Sequence, residues 1–265
     1  MEKVLHFRGS VIYYTLIGKG TPVVLLHGFG EDRSIWDSVI TEIKEKFCLI
    51  IPDLPGSGRS QLLTGDLISI NDYADCIRSI LEVEDISPVI MIGHSLGGYL
   101  ALAYAEMYPG SLISLGLFHS GAYPDDDEKK EIRKKAIAFI REKGSTAFLK
   151  TSIPGLFMDP DKNKNEIEIL FQKGAGLTNE ALIQYYEAMI ARPDRTFILK
   201  STNLPVLFII GEHDKAIPFA HSLEQTQLPA HSYVYILRNS AHMGMLEENE
   251  KCRKILADFL HDVQS

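Results

Sequence analysis

The chain has 265 residues, 45% of them hydrophobic and 23% charged, with a formal net charge of −8. That length suffices for a large buried core in one domain, and the composition is that of an ordinary globular protein. An acidic balance argues against nucleic acid as a partner, since phosphate binding needs clustered Lys and Arg.

In chain order, residues 4–7 and 11–17 read as strands of a hairpin and 23–26 as a buried strand. Residues 34–46 place Ile35, Trp36, Val39, Ile40 and Ile43 on one face of a helix. A strand at 47–51 precedes a helix at 70–84 with Tyr73, Ile77, Ile80 and Leu81 inward. A strand at 89–92, a helix at 96–107 and a strand at 112–118 continue the alternation. This rhythm predicts an α/β architecture, a doubly wound and mostly parallel sheet covered on both faces. From about 122 to 199 no strand is evident, and helices are predicted at 127–143, 146–151, 165–173 and 179–191. Strands return at 206–210 and 233–237, and a last helix is predicted at 246–262. A segment this long is not one structureless loop. The expectation is a helical cap, 122–199, inserted after the sixth strand into a core formed by 1–121 and 200–265.

The basic cluster Lys129-Lys130 to Lys134-Lys135 follows Asp125-Asp126-Asp127-Glu128 and reads as a solvated helix face. The first residues lack the apolar run of a secretory signal, and the longest apolar stretch, 204–210, is too short to span a bilayer. Cys48, Cys76 and Cys252 are odd in number and scattered, which argues against a disulfide framework or a zinc site. The expectations are a cytoplasmic protein with no membrane partner, no metal and no cofactor.

Gly93-His94-Ser95-Leu96-Gly97-Gly98 lies between a buried strand and a helix. A nucleophilic serine on a tight strand-to-helix turn needs glycines at −2 and +2, where side chains would collide. The turn exposes the hydroxyl at a positive helix end, where backbone N–H groups can hold an oxyanion. The plainer alternative is a Ser95 that only caps the helix. His94 is expected to be structural or pocket-lining. Among nine histidines, His242 sits in a loop after a strand, where a doubly wound sheet presents catalytic groups. Asp214, in the loop after 206–210, can accept from His242 and fix its tautomer. Glu212 is the rival acid. His27 and Asp53 are expected to organise their own loops. The order Ser95, Asp214, His242 is the one this architecture uses. The N–H groups of Phe29 and Leu96 are the expected oxyanion hole.

His27-Gly28-Phe29-Gly30, Trp36, Asp53-x-x-Gly56-x-Gly58-x-Ser60, the Ser95 segment, Arg192-Pro193-Asp194-Arg195, Gly211-Glu212-His213-Asp214 with Ile217-Pro218, and His242 with Glu247 span nearly the whole chain outside the cap. Together they resemble the α/β-hydrolase superfamily, and within it the small bacterial carboxylesterase-like members with a helical lid. Ala241 departs from the glycine common before the histidine. The resemblance implies the α/β-hydrolase fold and hydrolysis of a small, largely apolar carboxylic ester through an acyl-enzyme. Serine at the nucleophile position excludes the aspartyl-ester chemistry of dehalogenases and epoxide hydrolases. The partner is then a small-molecule substrate, with Phe157, Tyr185 and Met243 expected to line its cleft. Alternatives on the same residues are an enol-lactonase or a carbon–carbon bond hydrolase, the latter with a polar lid pocket for a second carboxylate. A non-catalytic binding protein of this fold is the remote alternative. Oligomeric state is left open.

Overall fold

The computed structural model describes residues 1–264. Eight strands form one sheet: β1 (Glu2–Phe7), β2 (Ser10–Ile17), β3 (Thr21–Leu26), β4 (Phe47–Pro52), β5 (Val89–His94), β6 (Leu112–Phe118), β7 (Pro205–Gly211) and β8 (His231–Leu237). Their order is β1-β2-β4-β3-β5-β6-β7-β8. The β1–β2 and β2–β4 pairs are antiparallel, and every later pair is parallel. The sheet is therefore doubly wound and mostly parallel, as the alternation of strands and helices predicts.

Strand side chains alternate between two cores. Val24, Leu26, Met91, Leu115 and Phe208 pack under α1 (Ile70–Val83) and α2 (Leu96–Met107). Val23, Leu25, Ile90, Ile92 and Leu207 pack on the other face with Trp36 and the last helix. Period-2 alternation with both faces apolar gives the near-continuous hydrophobic runs of buried parallel strands. A capping box at Ser69 and Asp72 starts α1.

Two predicted helices differ. Residues 34–46 bury the expected face, but only Arg33–Trp36 is regular, as a 3-10 turn. Beyond it, bonds such as Val39 N to Trp36 O (2.9 Å) and Ile43 N to Ile40 O (3.1 Å) make a string of tight turns. Asp37, Ser38 and Thr41 favour such turns over a helix interior. The final helix is interrupted at Glu248, whose carboxylate accepts from Asn239 N (3.0 Å) and Ser240 Oγ (2.9 Å).

Between β6 and β7 the chain runs through α3 (Asp127–Lys143), α4 (Ser145–Ser152), a 3-10 turn (Ile153–Leu156), α5 (Lys164–Gly174), α6 (Asn179–Ala191) and α7 (Thr196–Ser201). Asp126 caps α3, accepting from Lys129 N at 2.7 Å, and Gly144 ends it at φ +90°. Asp125, just before α3, is fully buried. It accepts from Arg133 Nε (2.6 Å) within α3 and from Arg192 Nη2 (3.0 Å) just past α6. Burial would raise this carboxyl, but the two guanidinium groups outweigh it and hold it below its ordinary value.

The cluster joins the entry and exit of the helical segment, and the guanidinium groups have no other carboxylate beside them among the described residues. Asp125→Asn should therefore cost about 3–5 kcal/mol of stability by leaving buried charge uncompensated. Urea denaturation measures it, and a loss under about 1 kcal/mol, the scale of an exposed pair, would contradict this role.

Candidate active site

The loops that leave the carboxyl ends of β3, β5, β7 and β8 converge on one cavity of about 700 Å³ lined by Phe29, Ser95 and His242. Ser95 takes φ +48° and ψ −113°, a backbone region that costs a non-glycine residue of order 1–3 kcal/mol. The turn is over-determined. Ser95 N donates to Phe118 O at 3.0 Å, and Ser95 O accepts from Ser120 Oγ at 2.7 Å and Gly98 N at 3.0 Å. A Cβ on Gly93 would fall inside the Gly97 carbonyl, so glycine is required there. The Ser95 hydroxyl makes no capping bond to α2, which removes the plainer reading of the residue.

His242 follows β8, and its Nδ1 lies 2.7 Å from Asp214 Oδ2. A carboxylate only accepts, so Nδ1 carries the proton and Nε2 is the basic nitrogen. The other Asp214 oxygen accepts from Ala216 N (2.8 Å) and Ile217 N (2.9 Å). Burial would raise Asp214, but the charge of a protonated His242, its hydrogen bond and the Ile217 N–H bring it down to about 2. Glu212 is exposed and its side chain joins none of this. His213 is exposed beside it.

His27 Nδ1 donates to Gly28 O (2.8 Å) and its Nε2 accepts from Leu54 N (2.9 Å), fastening the loops after β3 and β4. Asp53 accepts from Arg33 N (3.0 Å) and Arg59 N (3.1 Å) and fills the space a Cβ on Gly58 would need. Among the described residues, the N–H groups of Phe29 and Leu96 donate to no protein acceptor. Phe29 stacks on Tyr186 of α6 with ring centroids 4.4 Å apart, so the helical segment rests on this loop.

Two of the expected cleft residues are displaced by one position, Phe157 to Leu156 and Tyr185 to Tyr186, and the third, Met243, is not in the cleft. Leu156, Tyr186 and Met189 line the cavity, whereas Phe157, Tyr185 and Met243 do not. Phe157 and Met243 are buried in the core on the Trp36 side of the sheet. The Tyr185 hydroxyl bonds Ser57 Oγ (2.8 Å) and donates to Pro55 O (2.7 Å). Burial explains the displacement: Phe157 and Tyr185 pack inward, and their neighbours Leu156 and Tyr186 face the cleft.

Four residues carry no signal that sequence reading recognised. Glu31 is buried against His94 and Gly28 N–H. His119, at φ +46°, places its Nδ1 3.6 Å from Asp214 Oδ2, and burial pushes its pKa well down, so it stays neutral. Arg133 and Lys129 bring positive charge to a cavity wall that also carries Asp125, Asp126 and Glu128. Among the described residues no group of three or more His, Cys, Asp or Glu is placed to hold a metal ion, and no helix is long and apolar enough to cross a membrane.

Comparison with known proteins places this geometry. The structure superposes on an esterase from Thermogutta terrifontis, solved with malate bound, at TM-score 0.92 and 26% identity, covering 100% of both chains. It matches the fold of an enol-lactonase from Burkholderia xenovorans at TM-score 0.90 and 20% identity, over 98% of this chain and 100% of that one. In sequence it is 23% identical to the 2-hydroxy-6-oxo-2,4-heptadienoate hydrolase of Pseudomonas putida, over 92% of this chain and 90% of that protein. The profile of the "Alpha/beta hydrolase family" matches residues 23–255. With the sheet order, the Ser95 turn and a match over most of its length, the chain belongs to the alpha/beta hydrolase family and is a hydrolytic enzyme.

Proposed function

We propose that this enzyme hydrolyses a small, largely apolar carboxylic ester through an acyl-enzyme on Ser95. The observation that carries the reading is a strained, uncapped serine sharing one cavity with a histidine whose Nδ1 is held by Asp214 at 2.7 Å. His242 Nε2 takes the hydroxyl proton as Ser95 Oγ attacks the carbonyl carbon, and Asp214 stabilises the imidazolium that forms. The N–H groups of Phe29 and Leu96 receive the developing oxyanion; one such donor is worth about 10²- to 10³-fold in rate. His242 returns its proton to the leaving alcohol. Water then attacks the acyl-enzyme with the same histidine as base, releasing the acid. Residues 122–199 act as a cap that shapes the acyl pocket through Leu156, Tyr186 and Met189.

A second reading is favoured by one observation. Arg133 and Arg192 pair with Asp125, and Lys129 Nζ lies 3.9 Å from it, so three cations line the cavity there, beside the carboxylates of Asp125, Asp126 and Glu128. Arg133 engages Asp125 through Nε and Nη2 and is one of the residues lining the cavity. A substrate carboxylate would find a cationic partner among these side chains, as in carbon–carbon bond hydrolysis of a vinylogous diketone acid. Comparing kcat/KM for an acyl-chain series of p-nitrophenyl esters with that for such a diketone separates the two readings. Faster turnover of the diketone would replace the first.

On the preferred ester, Ser95→Ala should lower kcat by roughly 10⁴- to 10⁶-fold without unfolding the chain. Asp214→Asn should cost on the order of 10⁴ by leaving His242 in the wrong tautomer. Glu212→Gln should cost little, and the reverse ranking would refute the assignment of the acid. In the cap, Tyr186→Ala and Met189→Ala should change the ratio of kcat/KM between short and long acyl esters by roughly 10- to 200-fold at most. Phe157→Ala should instead lower stability by about 3–5 kcal/mol. A selectivity change in Phe157→Ala and none in Tyr186→Ala would contradict the cleft described above.

A further inference from the structure

A second buried carboxylate–imidazole pair lies beside the one formed by Asp214 and His242. Glu31, in the loop after β3, and His94, the last residue of β5, are 63 residues apart in the chain. Both Glu31 carboxylate oxygens lie 3.0 Å from His94 Nδ1, and Oε2 also accepts from Gly28 N at 2.6 Å. On the other side of the ring, His94 Nε2 lies 3.0 Å from the backbone carbonyl oxygen of His242. The His94 side chain is fully buried and that of Glu31 is 6% exposed.

The proton count follows from the partners. A carbonyl oxygen only accepts, so Nε2 carries a proton. Between Glu31 and Nδ1 the proton lies on the ring, because Gly28 N–H and His94 hold Glu31 below its ordinary value as a carboxylate, which only accepts. With both nitrogens protonated, His94 is an imidazolium balanced by Glu31. Burial would lower His94, yet the Glu31 charge, its hydrogen bond and the His242 carbonyl leave its pKa raised. Burial would raise Glu31, yet His94 and Gly28 N–H leave it lowered. The other ionisable groups around the His94 ring are His242 (centroids 5.0 Å apart), neutral His119 (5.9 Å) and the Asp214 carboxylate.

We infer that Glu31 and His94 are positioning residues: a fixed ion pair that ties the loop carrying Phe29 N–H to the loop carrying His242. It rests on the proposed roles of those two groups. The tie has a counterpart on the cap side, where His242 N donates to Leu156 O (2.9 Å) and Glu247 accepts from Met158 N (2.7 Å) and Ala241 N (2.9 Å). The backbone of the base is thus gripped at its N–H by the helical segment and at its carbonyl by His94. Without the pair, the histidine and the oxyanion donors keep their chemistry but lose a fixed separation, and displacement of about 1 Å costs on the order of 10²-fold in rate.

Imidazole ¹⁵N NMR of the wild-type enzyme at pH 8, joined to steady-state kinetics of Glu31→Gln, Glu31→Asp and His94→Asn, tests the inference. The expected spectrum shows both His94 nitrogens protonated, and in Glu31→Gln the ring becomes a neutral tautomer. Glu31→Gln and His94→Asn should lower kcat by about 10- to 100-fold with KM changed less than about threefold, and Glu31→Asp should recover most of the loss. A neutral His94 in the wild type would overturn the ion pair, and it needs no variant to fold. Wild-type kcat in a folded Glu31→Gln, or an equal loss in Glu31→Asp, would overturn the positioning role. The spectrum reads the pair whether or not esters are turned over, so absence of esterase activity would strike the proposed reaction and leave the ion pair standing.

Discussion

A serine at φ +48° is not a conformation the local chain prefers, and the centre of this molecule is arranged so that no other is available. Gly93 and Gly97 leave room for the backbone to cross itself, and β6 pins the turn through Phe118 O. Ser120 holds the Ser95 carbonyl from the next loop along the sheet. Because β5 is central, with β3 on one side and β6 on the other, the loops that follow all three strands meet at this turn. The local cost of a few kcal/mol is offset by the packing of a sheet apolar on both faces. The strain projects a hydroxyl that makes no bond to its own helix into the cavity.

The buried acids share a second constraint. Asp214, Glu31 and Asp125 each lie out of water and each faces a donor of opposite charge or an imidazole N–H. Unpaired, each would be neutral or destabilising. Paired, each joins segments distant in sequence: β7 to β8 through Asp214, the β3 loop to the β5 turn through Glu31, and the two ends of the helical segment through Asp125. Electrostatics and connectivity are therefore one feature here. The bonds of Leu156 O with His242 N and of Met158 N with Glu247 extend it to the helical segment, so the proposed cap touches the backbone of His242.

What the chain disclosed beforehand follows from how local each signal is. The strand–turn–helix at Ser95 is written in consecutive residues, and so is the alternation that gives the parallel sheet. Residues 34–46 show the limit of periodicity: the buried face is where the pattern puts it, but Asp37, Ser38 and Thr41 decide for turns. Choosing Tyr185 over Tyr186 and Phe157 over Leu156 needed the direction of a side chain on a helix whose packing partner lies elsewhere in sequence. Glu31 and His94 each have an unremarkable setting in the chain, and only the fold makes them a pair. The place of Arg133 in the cavity was hidden for a related reason: it belongs to a run of charges that reads as a solvated helix face, and Asp125 turns it inward.

The central claim is that Ser95 is a nucleophile made reactive by His242 and Asp214. Fluorophosphonate labelling followed by peptide mapping addresses it without knowledge of the substrate, because only a serine activated by a base attacks phosphorus readily. The account predicts one adduct per chain, on Ser95, formed far more slowly in His242→Ala. A folded enzyme that acquires no label, or acquires it on another residue, would contradict it.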